Sequence, residues 1–152
     1  MVGIKKIALI TGATSGIGES TAYELANKYS LILCGRNREK LDKLENNLSS
    51  ITKLITLEFD VRNHKEVSEK ILSLDSSWNK IELLINNAGN AHGLDFIHEG
   101  DIEDWDMMID TNVKGLLYVT KYVLKSMVKN NSGHIINTVS YTHLTLPTIV
   151  GV

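Results

Sequence analysis

Several kinds of residue are scarce in this sequence of 152 residues, and each scarcity argues against a class of protein. Its one cysteine, Cys34, has no partner for an internal disulfide, and its place in the apolar run Leu31–Cys34 indicates a buried strand residue rather than a nucleophile. Lysine and arginine total 16 against 18 acidic residues, a net charge of −2 that offers no basic surplus for nucleic acid or an anionic membrane. No apolar stretch is long enough to span a bilayer.

The N-terminus and the histidines lead to two further predictions, one about cellular location and one about metal binding. The chain passes from Met1-Val-Gly-Ile directly into a strand-like run, which leaves no room for a signal peptide, so we expect a cytoplasmic protein. No metal site is predicted, because no cysteine or paired carboxylate joins the histidines and they lack ligand spacing. These are His64, His92, His98, His134 and His143.

Apolar runs of strand length alternate with segments of helical period. This alternation predicts an α/β fold in which helices cover a parallel sheet. Several of the runs are continuously apolar, as expected for strands buried on both faces. The predicted strands are Lys5–Ile10, Ser30–Gly35, Lys53–Asp60, Ile81–Asn87 and His134–Val139.

The predicted helices show apolar stripes at helical spacing. One stripe consists of Leu41, Leu44 and Leu48, and a second of Val67, Ile71, Leu74 and Trp78. A longer helix is predicted over about residues 111–129. Its apolar side is predicted to contain Val113, Leu116, Leu117, Thr120, Val123, Leu124 and Met127.

The segment Thr11-Gly-Ala-Thr-Ser-Gly-Ile-Gly18 lies between the first predicted strand and a helix-like segment. A glycine-rich turn before a helix N-terminus forms an anion site from backbone N–H groups and the helix dipole. No Gly-Lys-Ser/Thr follows, which disfavours a triphosphate P-loop. A plain surface loop is the alternative interpretation. The residues predicted to bind a dinucleotide here are Gly12, Thr14, Ser15, Gly16, Ile17 and Gly18.

Arg36 follows the second predicted strand, where a chain that binds NAD usually carries an acidic residue for the ribose hydroxyls. A guanidinium can pair with the 2′-phosphate of NADP, whereas a carboxylate would repel it. Arg36, with Ser15 assisting, therefore favours NADP over NAD. The alternative is a solvated basic start to the next helix.

Polar residues follow the third and fourth strands as well. Asp60, in Asp60-Val61, can accept a hydrogen bond from the adenine amino group or can cap the next helix. Asn86-Asn-Ala-Gly89 lets the backbone approach a ribose at Asn87, Ala88 and Gly89 and can tie neighbouring strands together. Asn112 opens the long helix, where its amide can bond to local backbone or hold a water in a proton relay.

Taken together, TGxxxGIG, Asp60-Val61, Asn86–Gly89, Asn112 and Gly133-His-Ile-Ile-Asn137 resemble the short-chain dehydrogenase/reductase family over residues 1 to about 138. The resemblance implies a Rossmann-type doubly wound parallel sheet, truncated after the fifth strand. It also implies NAD(P)(H) binding and hydride transfer to or from a small-molecule carbonyl or alcohol. The loop sequence is similar to that of the subgroup acting on serine and other small 3-hydroxy acids.

Family catalysis implies an Asn, a Ser and a Tyr followed four residues later by Lys, which lowers the Tyr pKa. Asn112 matches the first of these, and Ser140 lies three residues after Asn137, where the family Ser is expected. Tyr141 follows Ser140 immediately, and the residue four positions beyond it is Thr145. The Tyr–Lys pair is therefore missing from this sequence.

Residues 139–152 resemble no family segment, whereas residues 139–148 match the translation of a transposase-adapter DNA used in sequencing libraries. We therefore expect an incomplete NAD(P)-binding domain over 1–138, a non-native tail over 139–152, and a coincidental match at Ser140. Family members reach about 200–250 residues. We expect the full-length protein to be a homo-oligomer and this chain an inactive fragment. The alternative is a noncatalytic NADP(H) sensor or interaction module.

Overall fold

The computed structural model describes residues 5–93 and 95–139. The strands are β1 (Lys6–Thr11), β2 (Tyr29–Gly35), β3 (Leu54–Glu58), β4 (Ile81–Asn86) and β5 (His134–Asn137). The helices are α1 (Gly16–Leu25), α2 (Arg38–Leu48), α3 (His64–Leu72), α4 (Ile102–Ile109) and α5 (Leu116–Lys129), with a π-helical segment, Asp110–Gly115, between the last two. The strands form one parallel sheet in the order β3-β2-β1-β4-β5, as in a Rossmann-type fold. The predicted fold class is confirmed.

The continuously apolar strands are buried on both faces because alternate side chains enter two separate cores. On one face Leu9 and Ile32 pack with residues of α3 and α5, including Val67 and Val123. On the other face Ile10 and Leu33 pack with residues of α1 and α2. Both cores leave the carboxyl ends of the strands at a single edge of the sheet.

The helix after β3 is shorter than its apolar stripe predicts. It ends at Leu72, and Leu74 and Trp78 lie beyond it. The chain turns at Asp75, whose backbone oxygen accepts a hydrogen bond from Trp78 N at 3.0 Å. Trp78 nevertheless reaches the same core and is buried. The stripe identified core residues correctly but placed two of them in the wrong element.

The apolar side predicted for the long helix is divided between core and solvent. Val123 and Met127 are buried, whereas Val113, Leu117 and Leu124 are 47%, 57% and 40% exposed. Val119 and Tyr122, outside the predicted set, complete the buried side. The prediction of one packed face is wrong here, because the sheet covers a narrower arc of the helix than its apolar residues occupy. No helix in residues 5–93 and 95–139 has the length and apolarity needed to cross a membrane.

Candidate functional site

A cleft of about 1150 Å³ opens at the edge of the sheet where the strands end. It lies above the ends of β1, β2 and β4, between the start of α1 and the π-helical segment. Clefts at this edge are where ligands bind in open α/β sheets. The predicted site residues that line it are Gly12, Thr14, Ser15, Ile17, Arg36, Asp60, Val61, Asn87, Ala88, Gly89 and Asn112.

Gly16 and Gly18 do not line the cleft, and Gly18 is needed for packing of the loop itself. A Cβ atom on Gly18 would collide with the carbonyl oxygen of Gly12. Gly12 has a φ of +63°, and a Cβ atom there would lie 2.9 Å from the Cα atom of Ala88. The absence of side chains at Gly12 and Gly18 therefore allows the loop to pack closely against α1 and against the segment after β4.

The N-terminus of α1 faces the cleft through Ser15 and Ile17, which both line it. Ser15 is the N-cap residue, yet its hydroxyl makes no capping hydrogen bond. Backbone N–H groups in the first turn of a helix have no intrahelical acceptor, and the helix dipole makes this end positive. The start of α1 thus presents donors suited to an anion.

Thr11, which was not among the predicted site residues, ties the glycine loop to the segment after β4. Its hydroxyl oxygen accepts hydrogen bonds from the backbone N–H groups of Asn87 and Ala88, both at 3.0 Å. Asn87 Nδ2 in turn donates to the carbonyl oxygens of Thr11 and Gly12, each at 3.2 Å. The floor of the cleft is therefore held by side chains from both strands, in agreement with the predicted role of the Asn-Asn pair in joining strands.

Asn86 makes a second set of ties beneath the cleft. Its Nδ2 donates to Thr120 Oγ1 and to Asn137 Oδ1, both at 2.9 Å, and so links β4 to α5 and β5. Asn86 is 4% exposed, and its Oδ1 has no hydrogen-bond partner among the described residues. This residue lies on the cleft wall although it was not among the predicted ligands.

Asp60 is held between two arginines at the edge of the cleft. Arg62 Nη2 lies 2.6 Å from Asp60 Oδ2, and the Arg62 backbone N–H donates to Asp60 Oδ1 at 2.9 Å. Arg36 Nη1 lies farther from Asp60 Oδ2, at 3.7 Å. Burial by itself would raise the pKa of Asp60, but the hydrogen bonds from Arg62 and both positive charges bring it below its ordinary value. Asp60 is thus held in its ionised, hydrogen-bond-accepting form.

The alternative role considered for Asp60, capping the next helix, is wrong. The N-cap residue of α3 is Asn63, whose Oδ1 accepts hydrogen bonds from the N–H groups of Lys65 and Glu66. Likewise, Arg36 is not the first residue of α2, which begins at Arg38 with Asn37 as its cap. Both Asp60 and Arg36 therefore lie in loops that face the cleft rather than in helix termini.

Asn112 lies on the opposite wall, within the π-helical segment. Both hydrogen bonds of its side-chain amide are made outside its own helix. Its side chain exchanges hydrogen bonds with the backbone of Asn90, 22 residues away. Wide π-helical turns are frequent at functional sites because they redirect a side chain out of the helical register.

Of the two predicted catalytic residues, Ser140 cannot be placed, because it lies outside the described residues, as does the neighbouring Tyr141. Sequence reasoning also missed Asn37 and Lys40, which line the cleft at the start of α2. Their closeness in sequence to Arg36 is the signal that could have identified them.

Cys34 is buried at the end of β2, and burial raises the pKa of its thiol well above its ordinary value. No three His, Cys, Asp or Glu side chains cluster as metal ligands within residues 5–93 and 95–139.

The chain belongs to the short chain dehydrogenase family, whose model matches residues 6–148. The match confirms the resemblance. It also extends ten residues past 138, into the segment that was expected to resemble no part of the family. Its parallel sheet is of the Rossmann type, with the cleft at the carboxyl ends of the strands.

Among curated proteins, the chain is 46% identical over 132 residues to the NADP-dependent 3-hydroxy acid dehydrogenase of Salmonella typhi, covering 86% of this chain and 52% of that protein. Among solved structures, it is similar to the closed form of serine dehydrogenase complexed with NADP+, with a TM-score of 0.80, 43% identity, and coverage of 86% and 52%. NAD+-bound xylitol dehydrogenase gives a TM-score of 0.85 at 31% identity, with coverage of 90% and 54%. The chain spans about half the length of the curated relatives it matches.

Proposed function

We propose that the full-length protein is an oxidoreductase that transfers a hydride between NADP(H) and a small carbonyl or alcohol compound. In this proposal the present chain supplies the dinucleotide-binding half. The observation that carries it is the arrangement of one cleft around the glycine loop, Arg36, Asp60 and the segment Asn87–Gly89. Family membership supports it independently.

The residues of the cleft fit a dinucleotide. Its volume of about 1150 Å³ lies just above the range of ordinary small-molecule sites, which suits a large, extended ligand. The start of α1, with the unengaged hydroxyl of Ser15, offers donors to the pyrophosphate. The ionised Asp60 would accept from the adenine amino group, and Asn87 and Gly89 would border the ribose.

Arg36 is the basis for choosing NADP over NAD. Its side chain is 64% exposed and lies on the cleft wall, where it can meet a 2′-phosphate. The fold alone does not choose the cofactor, since one similar structure binds NAD+ and another NADP+. The named preference of the curated relative supports NADP.

The substrate proposal rests on the names of relatives. A 3-hydroxy acid dehydrogenase and a serine dehydrogenase are both similar to this chain, so we place the substrate among small 3-hydroxy acids such as serine. Asn112 and Ser140 are the residues of this chain proposed to take part in catalysis. By position, Asn112 would help to hold the proton path and Ser140 the substrate oxygen.

For the chain of 152 residues itself, we propose binding without turnover. Tyr141 is followed four residues later by Thr145, so the residue that would lower the phenol pKa is missing. We attribute residues 139–152 to adapter-derived sequence. Reading the source DNA tests this, because codons unlike the adapter over 139–148 would contradict it.

We also place the full-length protein in the cytoplasm and expect it to be a homo-oligomer. The exposed apolar side chains of Val113, Leu117 and Leu124 support the oligomeric state. A second copy of the chain would cover them.

Titration of the chain with NADP+ and NAD+ by isothermal calorimetry tests the proposed cofactor. We expect NADP+ to bind at least roughly tenfold more tightly, the effect of one charge-assisted contact pair. Equal or tighter binding of NAD+ would contradict the assignment. A carbonyl-reduction assay with NADPH, in which we expect no turnover, separates the binding half from a complete enzyme.

A further inference from the structure

A second, smaller cavity opens on the face of the sheet that carries α3 and α5. It has a volume of about 210 Å³ and lies beside Ile81 at the start of β4, whereas the cleft lies at Asn86, the last residue of that strand. The six residues of β4 separate the two sites by about 16 Å. We name this cavity the α3–α5 groove, and its walls are mostly apolar: Ile71, Leu72, Leu74, Ile81, Tyr122 and Val123.

The size and the apolar walls of the groove suit a compact ligand with a hydrocarbon chain. Its volume is below the roughly 300–1,000 Å³ of sites for drug-sized molecules and equals about seven water molecules at about 30 Å³ each. Ile71 and Val123 are buried in its walls, but Leu72 at its rim is 60% exposed. A hydrocarbon chain in the groove would remove the apolar surface of Leu72 from water, which is favourable.

Hydrogen bonds fix the end of the groove at which Asn79 lies. The Ser126 hydroxyl donates to the carbonyl oxygen of Asn79 and accepts from Asn130 Nδ2 at 3.2 Å. The Asn79 N–H in turn donates to the carbonyl oxygen of Asp75 at 3.0 Å. The side-chain amide of Asn79 forms no hydrogen bond within the part of the chain that the structure describes. The loop before β4 is therefore tied to α5, and the Asn79 amide is a polar group that a ligand can use.

Lys125 supplies a positive charge on the wall of the groove. Its Nζ lies 5.1 Å from the centroid of the Tyr122 ring, in a cation–π contact. That ring is held by a hydrogen bond of 2.7 Å between the Tyr122 hydroxyl and His64 Nε2. The ammonium group is thus placed next to the apolar wall that Tyr122 forms. None of the ion pairs formed within residues 5–93 and 95–139 involves Lys125.

Carboxylates of the neighbouring elements are engaged elsewhere and do not neutralise Lys125. α5 itself contains three lysines and no carboxylate. On α3, Glu69 Oε1 lies 3.9 Å from Lys65 Nζ. In the loop before β4, Asp75 Oδ1 accepts two hydrogen bonds from Ser77, at 2.7 and 2.6 Å. The groove therefore combines apolar walls with one positive charge that is available to a ligand.

We propose that the α3–α5 groove is a binding site for short aliphatic carboxylates, separate from the cleft. The hydrocarbon chain would lie against Leu72 and Val123, and the carboxylate would meet Lys125 Nζ, with the Asn79 amide as a second donor. A neutral chain would lose the charge-assisted contact, and a carboxylate without a chain would lose the burial of apolar surface. The groove shares no lining residue with the cleft, so this binding does not require the dinucleotide.

NMR chemical shifts of the isotope-labelled 152-residue chain test the proposal, with hexanoate as the probe and hexanol as its neutral counterpart. We expect hexanoate to shift the amide signals of Leu72, Asn79 and Ser126 saturably in the millimolar range, as for a ligand of so few atoms. Hexanol should bind about two- to fivefold more weakly, the effect of one exposed charge pair. Lys125→Gln should weaken hexanoate binding by the same factor and leave hexanol binding unchanged.

Lys129→Gln is the matched control, since Lys129 is exposed on the same helix but does not line the groove. It should leave both affinities unchanged. Leu72→Ser should weaken the binding of both ligands, because it removes apolar surface and keeps the charge.

Four results would each overturn the proposal: no saturation at the three amide signals, equal affinity for hexanoate and hexanol, equal effects of Lys125→Gln and Lys129→Gln, or unchanged binding in Leu72→Ser. Titrations with NADP+ and NAD+ probe the cleft instead, so their outcome is independent of this one.

Discussion

Asn112 and Asn90 exchange two hydrogen bonds: Asn90 N donates to Asn112 Oδ1 at 2.9 Å, and Asn112 Nδ2 donates to Asn90 O at 2.8 Å. This pair joins the π-helical segment to the loop after β4 and fixes the far wall of the cleft. One role considered for Asn112 was a hydrogen bond from its side chain to nearby backbone. The side chain bonds instead to the backbone of Asn90, in a loop that is distant in sequence. In this arrangement both atoms of the amide are already engaged with protein.

Replacing Asn112 should loosen that loop. Asn112→Ala removes both hydrogen bonds, and we expect the free energy of unfolding to fall by about 0.5–1.5 kcal/mol, as for partly exposed hydrogen bonds. Amide hydrogen exchange at Asn90 should accelerate in the same variant. Asn112→Asp keeps the acceptor for Asn90 N and should preserve more of the protection than Asn112→Ala. Unchanged exchange at Asn90 in Asn112→Ala would contradict the pairing.

Arg36→Asp should abolish the preference for NADP. The substitution removes the guanidinium and places a carboxylate next to Asp60, so we expect NADP+ affinity to fall by roughly 10- to 100-fold. Calorimetric titration with both dinucleotides measures the change. Arg38→Gln is the control, because Arg38 contacts Asp42 and Thr56 rather than the cleft. An equal effect of the two variants would point to a general disturbance of α2 instead.

The ionised state of Asp60 should make stability depend on pH. Its folded-state pKa lies below the ordinary value of 3.8, so its charge contributes stability that is fully present above pH 3.8. That contribution is lost as the pH falls through the folded-state pKa. We expect Asp60→Asn to be less stable than wild type in urea unfolding at pH 7, with the difference narrowing below pH 3.8. A difference that stays constant down to about pH 3 would show that the charge is not responsible.

Gly16 and Gly18 should respond differently to substitution. Gly18→Ala places a Cβ atom on the Gly12 carbonyl, which we expect to cost about 1–3 kcal/mol of unfolding free energy. Gly16 has a φ of +54°, but a Cβ atom there would have no neighbour within 4 Å, so Gly16→Ala should cost only the strain of about 1–2 kcal/mol. Asn adopts this conformation more readily, so Gly16→Asn should recover part of the loss, whereas Gly18→Asn should recover none. Equal recovery at both positions, measured by urea denaturation, would rule out the collision.

The exposed face of α5 offers a test of assembly. Leu117→Lys should change the unfolding free energy of the monomer by no more than about 0.5 kcal/mol, because Leu117 is 57% exposed. If copies of the chain associate through this face, sedimentation should show a shift toward monomer in the variant. Val119→Lys, on the buried side of the same helix, should instead unfold the chain. If the wild-type chain is monomeric at all accessible concentrations, copies of the chain do not associate through this face of α5.

The strands and the residues at their ends were largely predictable, because they follow from short-range pattern. An apolar run that ends in Thr11-Gly12 or in Asn86-Asn87 shows both a buried strand and the polar turn behind it. The faces of the long helix were not predictable in the same way. A helical period identifies Leu117 and Val123 as apolar, but only the position of the sheet decides which of them it covers.

The alternation of strands and helices, the glycine loop and the charged residues after β2 could all be predicted from the sequence, because they depend on neighbours along the chain. Which of these charges face the cleft followed only from the packing of the folded chain. Arg36 and Lys40 lie on its wall, whereas Arg38 pairs with Asp42 and Arg62 with Asp60. Such pairings depend on distances between separate elements and on competition among nearby carboxylates, and sequence spacing carries neither.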